Sequence, residues 1–125
     1  MFFRIFFSLL ILLSTSFFFS PAKSKSDSSK LVVPDRDLIG TRWTLTPSEG
    51  SPFEIEFEKD HDLLVRHLRL GRGAKPSWFL RGNKIELIFN NGYAIYKGRF
   101  VSKKKIKGTA RNHHSESWLW TANRL

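Results

Sequence analysis

From residue 41 onward, apolar and polar residues alternate in short runs separated by turn residues. This period of two is the signature of strands with one buried face. The clearest run is 53–58, where Phe53, Ile55 and Phe57 oppose Glu54, Glu56 and Glu58. In 41–45, Trp43 and Leu45 share a face, and the run stops at Pro47-Ser48-Glu49-Gly50. Residues 63–70 are less regular, because Leu63, Leu64 and Val65 are consecutive; a β-bulge would explain this. The stretch 71–76 reads as a loop, and 78–80 as a short strand before a turn at Gly82-Asn83. Ile85, Leu87 and Phe89 then alternate with Lys84, Glu86 and Ile88. Asn90-Asn91-Gly92 is a hairpin signal, since Asn and Gly accept positive φ. The next strand, 93–101, contains Gly98, as strands do at a bend or a close approach. Either Tyr93 and Ile95 or Ala94 and Tyr96 face inward there. Residues 105–110 alternate again after a turn at Ser102-Lys103-Lys104, and Asn112-His113-His114-Ser115 turns once more. Trp118, Trp120, Ala122 and Arg124 share one face of the last run.

The pattern predicts an all-β domain of eight strands with no segment of helical period. Short loops make sequential strands antiparallel neighbours. An eight-stranded up-and-down antiparallel barrel follows, because closure removes exposed strand edges. An open two-layer sandwich is the alternative arrangement of the same strands.

The first residues follow a different pattern. Arg4 is the only charge before Lys23, an apolar run follows it, and Ser20 and Ala22 occupy the positions that a signal peptidase reads. Residues 1–22 are expected to be a signal peptide cleaved near Ala22, giving a secreted or periplasmic protein; an uncleaved membrane anchor is the alternative. Residues 23–36 are expected to be a flexible leader rich in Ser and Lys, because 23–30 have no apolar surface to offset ordering. The barrel domain is then 37–125. It has no cysteine, so burial and hydrogen bonding must hold it together.

Charge adds a second feature. Cleavage after Ala22 removes one base and no acid, so the net charge falls from +10 to about +9. Between Glu49 and Asp62 there are six acids and one base; between Arg66 and Arg111 there are thirteen bases and one acid, Glu86. A chain polarised in this way carries a basic region that concentrates anions. The expected anion-binding residues are Arg66, Arg69, Arg72 and Lys75 around the longest loop, with Lys103, Lys104, Lys105 and Lys107 in one hairpin.

Gly40-Thr41-Arg42-Trp43 resembles the start of calycin barrels: lipocalins, avidins, fatty-acid-binding proteins and the short bacterial metalloprotease inhibitors. In that superfamily an arginine late in the last strand packs across the early tryptophan, and Arg124 stands in the matching place. If the last strand closes antiparallel on the first, Arg124 would reach Trp43. The resemblance implies structural roles for Trp43 and Arg124 in a barrel that acts by binding. The spacing here is Gly-x-x-Trp, where lipocalins usually show Gly-x-Trp. The disulfide usual in the compact inhibitors is excluded, and no biotin-site motif occurs.

No motif supplies an enzyme's chemistry. There is no Gly-x-Ser-x-Gly and no cysteine nucleophile, and Gly71-Arg72-Gly73 lacks the Lys-Ser/Thr of a phosphate loop. His113, His114 and Glu116 form the one compact set of catalytic residue types, and adjacent histidines in a strand point apart. The chain is therefore expected to be a non-enzymatic, monomeric binding protein without cofactor or metal. Its partner is expected to be a small apolar ligand, held by Trp78, Tyr96, Trp118 and Trp120, or a protein docked on the loops. The alternative is a surface binder of anionic polysaccharide or lipid headgroups; nucleic acid is disfavoured by export.

Overall fold

A computed structural model describes residues 31–71 and 75–125. The expected signal peptide, the stretch 23–30 and Arg72 lie outside the described residues.

Eight antiparallel strands follow one another: β1 (Arg42–Pro47), β2 (Phe53–Phe57), β3 (Leu63–Arg66), β4 (Ser77–Arg81), β5 (Lys84–Phe89), β6 (Ala94–Ser102), β7 (Lys105–Asn112) and β8 (Ser117–Arg124). They form one sheet in the order β3-β2-β1-β8-β7-β6-β5-β4. The first and last strands pair antiparallel, from Trp43 opposite Arg124 to Pro47 opposite Trp120. The sheet edges, β3 and β4, nearly meet. A bridge between Asp62 and Ser77 joins them, with hydrogen bonds from Leu63 N to Pro76 O (3.1 Å) and from Trp78 N to His61 O (2.9 Å). The result is a nearly closed up-and-down barrel; the seam lies between β3 and β4.

Alternation explains the interior. Phe53, Ile55 and Phe57 point inward from β2, Ile85, Leu87 and Phe89 from β5, and Ala94, Tyr96 and Phe100 from β6, all buried. Burying each large apolar side chain contributes about 1.5–3 kcal/mol, which is how a cysteine-free domain of this size is held. Ring pairs meet edge to face through the core: Phe57 and Trp78 at 5.4 Å, Trp43 and Phe100 at 5.7 Å, Phe89 and Tyr96 at 4.9 Å. Edge-to-face contact suits the aromatic quadrupole.

Two inward glycines face each other where β6 meets β7, Gly98 opposite Gly108. A Cβ on Gly98 would lie 2.6 Å from the Trp120 ring, and one on Gly108 would overlap the carbonyl oxygen of Lys97. Glycine is therefore required here for close approach, and Trp120 fills the space that the missing Cβ leaves.

The structure differs from the sequence expectation in three places. β3 ends at Arg66 and keeps an unbroken register with β2 over Leu63, Leu64 and Val65. His67 adopts φ 65° and turns the chain out of the sheet, so Leu68 and Leu70 need no bulge. The irregularity lies instead between Phe100 and Ser102 of β6. A single-turn helix, α1 (Asp35–Leu38), also precedes β1, across the boundary between the expected leader and the expected barrel domain. Leu31 and Val33 pack against the core and Leu38 is buried in it. A relay anchors α1 to the barrel: Trp43 Nε1 donates to Thr41 Oγ1 (2.8 Å), which donates to Leu38 O (2.6 Å).

The topology gives the barrel two ends. One carries α1, the C-terminus and the turns after β2, β4 and β6. The other carries the turns after β1, β5 and β7 and the long loop after β3.

Candidate functional site: an outer groove on β4 to β7

The outward positions of β4–β7 bring cations into register. Arg81 is opposite Lys84, Lys84 is opposite Arg99, and Arg99 is opposite Lys107. All four side chains are exposed. Neighbouring strands lie about 4.8 Å apart, so the row crosses roughly 14 Å of sheet. Like charges directly opposite one another destabilise a sheet. Among the described residues none of the four has an ion-pair partner.

The row borders a groove of about 700 Å³ whose lining also includes Phe79, Glu86, Lys97 and Thr109. Phe79 is 47% exposed. Glu86 is half-buried and lies between Phe79 and Lys97 in register. His61, held in a positive-φ turn at 59°, stacks on Phe79 at 5.1 Å, and its Nδ1 lies 3.0 Å from Trp78 O. The imidazole thus braces the edge of β4.

The groove continues along β6 and β7. Lys97 and Thr109 also line a second depression of about 290 Å³, with Ile95, Arg111 and Ser117. Those last three line a third, of about 510 Å³, which ends at Tyr93 and His113. Tyr93 is 37% exposed and lies 5.4 Å from the His113 ring and 5.7 Å from the His114 ring. The adjacent histidines converge because they sit in a turn. Asn112 Oδ1 accepts from His114 N (2.9 Å) and Glu116 N (3.2 Å), and Ser115 adopts φ 59°. Across the hairpin, Asn90, Asn91 and Gly92 all have positive φ and present Tyr93.

The eight bases singled out in the sequence are divided by this geometry. Arg66, Arg69 and Lys75 lie at or beyond the end of β3; Lys103 and Lys104 are in the turn after β6, at the opposite end of the barrel. Arg66 is committed to Glu56 at 3.7 Å. Lys105 is half-buried opposite Asn123. Among the described ones, Lys107 alone lines the groove, where Arg81, Lys84, Lys97, Arg99 and Arg111 join it.

Of the expected ligand-binding aromatics, Tyr96, Trp118 and Trp120 come together: Tyr96 lies 5.6 Å from Trp118 and 5.7 Å from Trp120. Trp78 sits apart, packed on Phe57, with Nε1 donating to Glu58 O (2.9 Å). Trp78 and Trp120 are each 1% exposed, so both are part of the barrel filling. Burial raises the Tyr96 pKa, opposed in part by its hydrogen bond with Trp118. Trp120 Nε1 is buried without a hydrogen-bond partner among the described residues. Trp43 and Arg124 border a smaller pocket of about 270 Å³ beneath the 31–38 segment. The Trp43 indole is flanked by Phe57 and Phe100, and Arg124 is exposed.

No family model matches the chain, and no curated protein matches it. Among solved structures, a redesigned β-barrel is similar over 73% of this chain and 94% of its own length, at 16% identity and a TM-score of 0.45.

Proposed function

We propose that this protein binds anionic polymers through the outer face of β4–β7. The observation that carries the reading is the row Arg81, Lys84, Arg99, Lys107, four cations in register that form no ion pair among the described residues. Such a row costs stability in the free protein, and an anion laid across it removes the repulsion. The lining gathers positive charge on one open face, which raises the local concentration of polyanions. Export, expected from residues 1–22, would bring the groove to envelope polysaccharides and lipid headgroups. The Trp43–Arg124 register supports reading the scaffold as calycin-like.

The test is retention on immobilised heparin at equal net charge. One variant carries glutamine at Arg81, Lys84, Arg99 and Lys107; the other carries glutamine at Arg69, Lys75, Lys103 and Lys104. The first is expected to elute at much lower salt than the second. Equal elution of the two, or passage of the unaltered protein through the column at low salt, would reject the reading.

A further inference from the structure

Resting on the anionic-polymer reading, we infer that the groove takes a linear, hydroxyl-bearing anionic glycan, laid along β6 and β7 with charged groups on Arg99 and Lys107 at one end and a sugar ring against Tyr93 at the other.

Three features carry this. The first is length. The three depressions share lining residues, Lys97 and Thr109 between the first two and Ile95, Arg111 and Ser117 between the last two. They run as one path from Arg99 to Tyr93, about 20 Å at the rise of a strand. An isolated anion needs only the cation row; an extended chain uses the whole path.

The second is Glu86. It is the single acid between Arg66 and Arg111, and it stands inside the groove, opposite Lys97, without an ion pair among the described residues. A carboxylate repels a polymer that offers phosphates alone. It accepts hydrogen bonds from a polymer that also offers hydroxyls, with Thr109 and Ser117 as further polar partners along the floor.

The third is the placement of the rings. Tyr93, backed by His113 and His114, stands at one end of the path; Ile95 and Thr109 occupy the middle, and Phe79 lies to the side on β4, level with Lys97 and Thr109. A single-stranded nucleic acid is held by successive stacked bases between basic residues, and the middle of this path has no ring for them. One ring at the Tyr93 end suits the flat face of a single sugar in a chain otherwise held by charge and hydroxyl contacts.

The test uses the whole exported protein and three probes: heparin oligosaccharides of increasing length, inorganic polyphosphate and oligo-dT. Affinity for heparin fragments should rise stepwise until the path is filled. Tyr93→Ala should weaken the long fragments about tenfold, roughly one stacked ring, and leave the disaccharide unchanged; Tyr93→Phe should retain the long-fragment affinity. Glu86→Gln should weaken heparin fragments and strengthen polyphosphate. The inference is overturned if Glu86→Gln strengthens both, if Tyr93→Ala spares the long fragments, or if oligo-dT binds more tightly than heparin of similar length. Failure of the underlying reading is distinct: none of the probes binds at low salt, or replacing Arg99 and Lys107 by glutamine leaves the affinity of all three unchanged.

Discussion

The two flanks of this barrel treat charge in opposite ways. On β1–β3, acids meet bases across the strands: Glu56 is opposite Arg42, Glu54 is opposite Arg66, and the Arg66 guanidinium lies 3.7 Å from the Glu56 carboxylate. On β4–β7, Arg81, Lys84, Arg99 and Lys107 meet one another. Both flanks clothe one core and both are solvated, so burial does not explain the difference. The first sets opposite charges across its strands, with an ion pair between Arg66 and Glu56. The second leaves its field open to solvent, which lowers stability; the proposed anionic partner would remove that cost.

Four substitutions probe that contrast. The largest effect is expected under the basic flank. Gly108→Ala drives a methyl group into the Lys97 carbonyl and to 2.6 Å from Gly98 Cα; backbone cannot yield as a side chain does, and the loss should reach about 3 kcal/mol in urea unfolding. A loss below about 1 kcal/mol would mean that β6 and β7 can part and that the cation register is soft. Next, Glu56→Lys turns the paired flank into a copy of the unpaired one, with Arg42 and Arg66 beside the new lysine. It should cost about 1 kcal/mol at low salt, recover at high salt, and leave heparin elution near that of the parent. A large gain in retention would show that net charge, not the groove, governs binding. Third, Lys84→Gln relieves two like-charge contacts and should stabilise the protein by a few tenths of a kcal/mol at low salt. Destabilisation would indicate that the Lys84 stem packs more than its charge repels.

The smallest effect concerns Tyr96, on the inner face of β6. Its folded pKa is raised above 10.0 by burial. The unfolded chain therefore gives up the phenolic proton first, so this contribution is intact below pH 10.0 and is lost as pH rises toward the folded value. Tyr96→Phe should lose less stability than the parent when alkaline and neutral unfolding are compared. An equal loss would place the alkaline sensitivity elsewhere.

The strands were legible because side-chain alternation records burial directly, as Phe53-Glu54-Ile55-Glu56-Phe57 does. Ring closure between β1 and β8 was legible from strand number and turn length. Helix α1 was not, since four residues carry no period. Nor was the end of β3, which depends on the positive φ of His67. The cation row was hidden for a sharper reason. Sequence proximity gathers Lys103, Lys104, Lys105 and Lys107, whereas register gathers Arg81, Lys84, Arg99 and Lys107. The turn at Gly82-Asn83 does point to the Arg81–Lys84 pair. Counting back from the turn at Lys103-Lys104, however, puts Arg99 opposite Gly108; the irregularity between Phe100 and Ser102 shifts it onto Lys107. One residue of slip in the register separates a scattered set of bases from an aligned one.

Arg99 sits at the centre of that row, between Lys84 and Lys107. The most direct measurement is Arg99→Glu, followed by urea unfolding and heparin elution on the same preparation, with Arg69→Glu as the equal-charge control. Arg99→Glu should be more stable than the parent, because two cross-strand repulsions become attractions, and should elute at far lower salt than the control. A less stable protein that elutes together with Arg69→Glu would contradict the proposal.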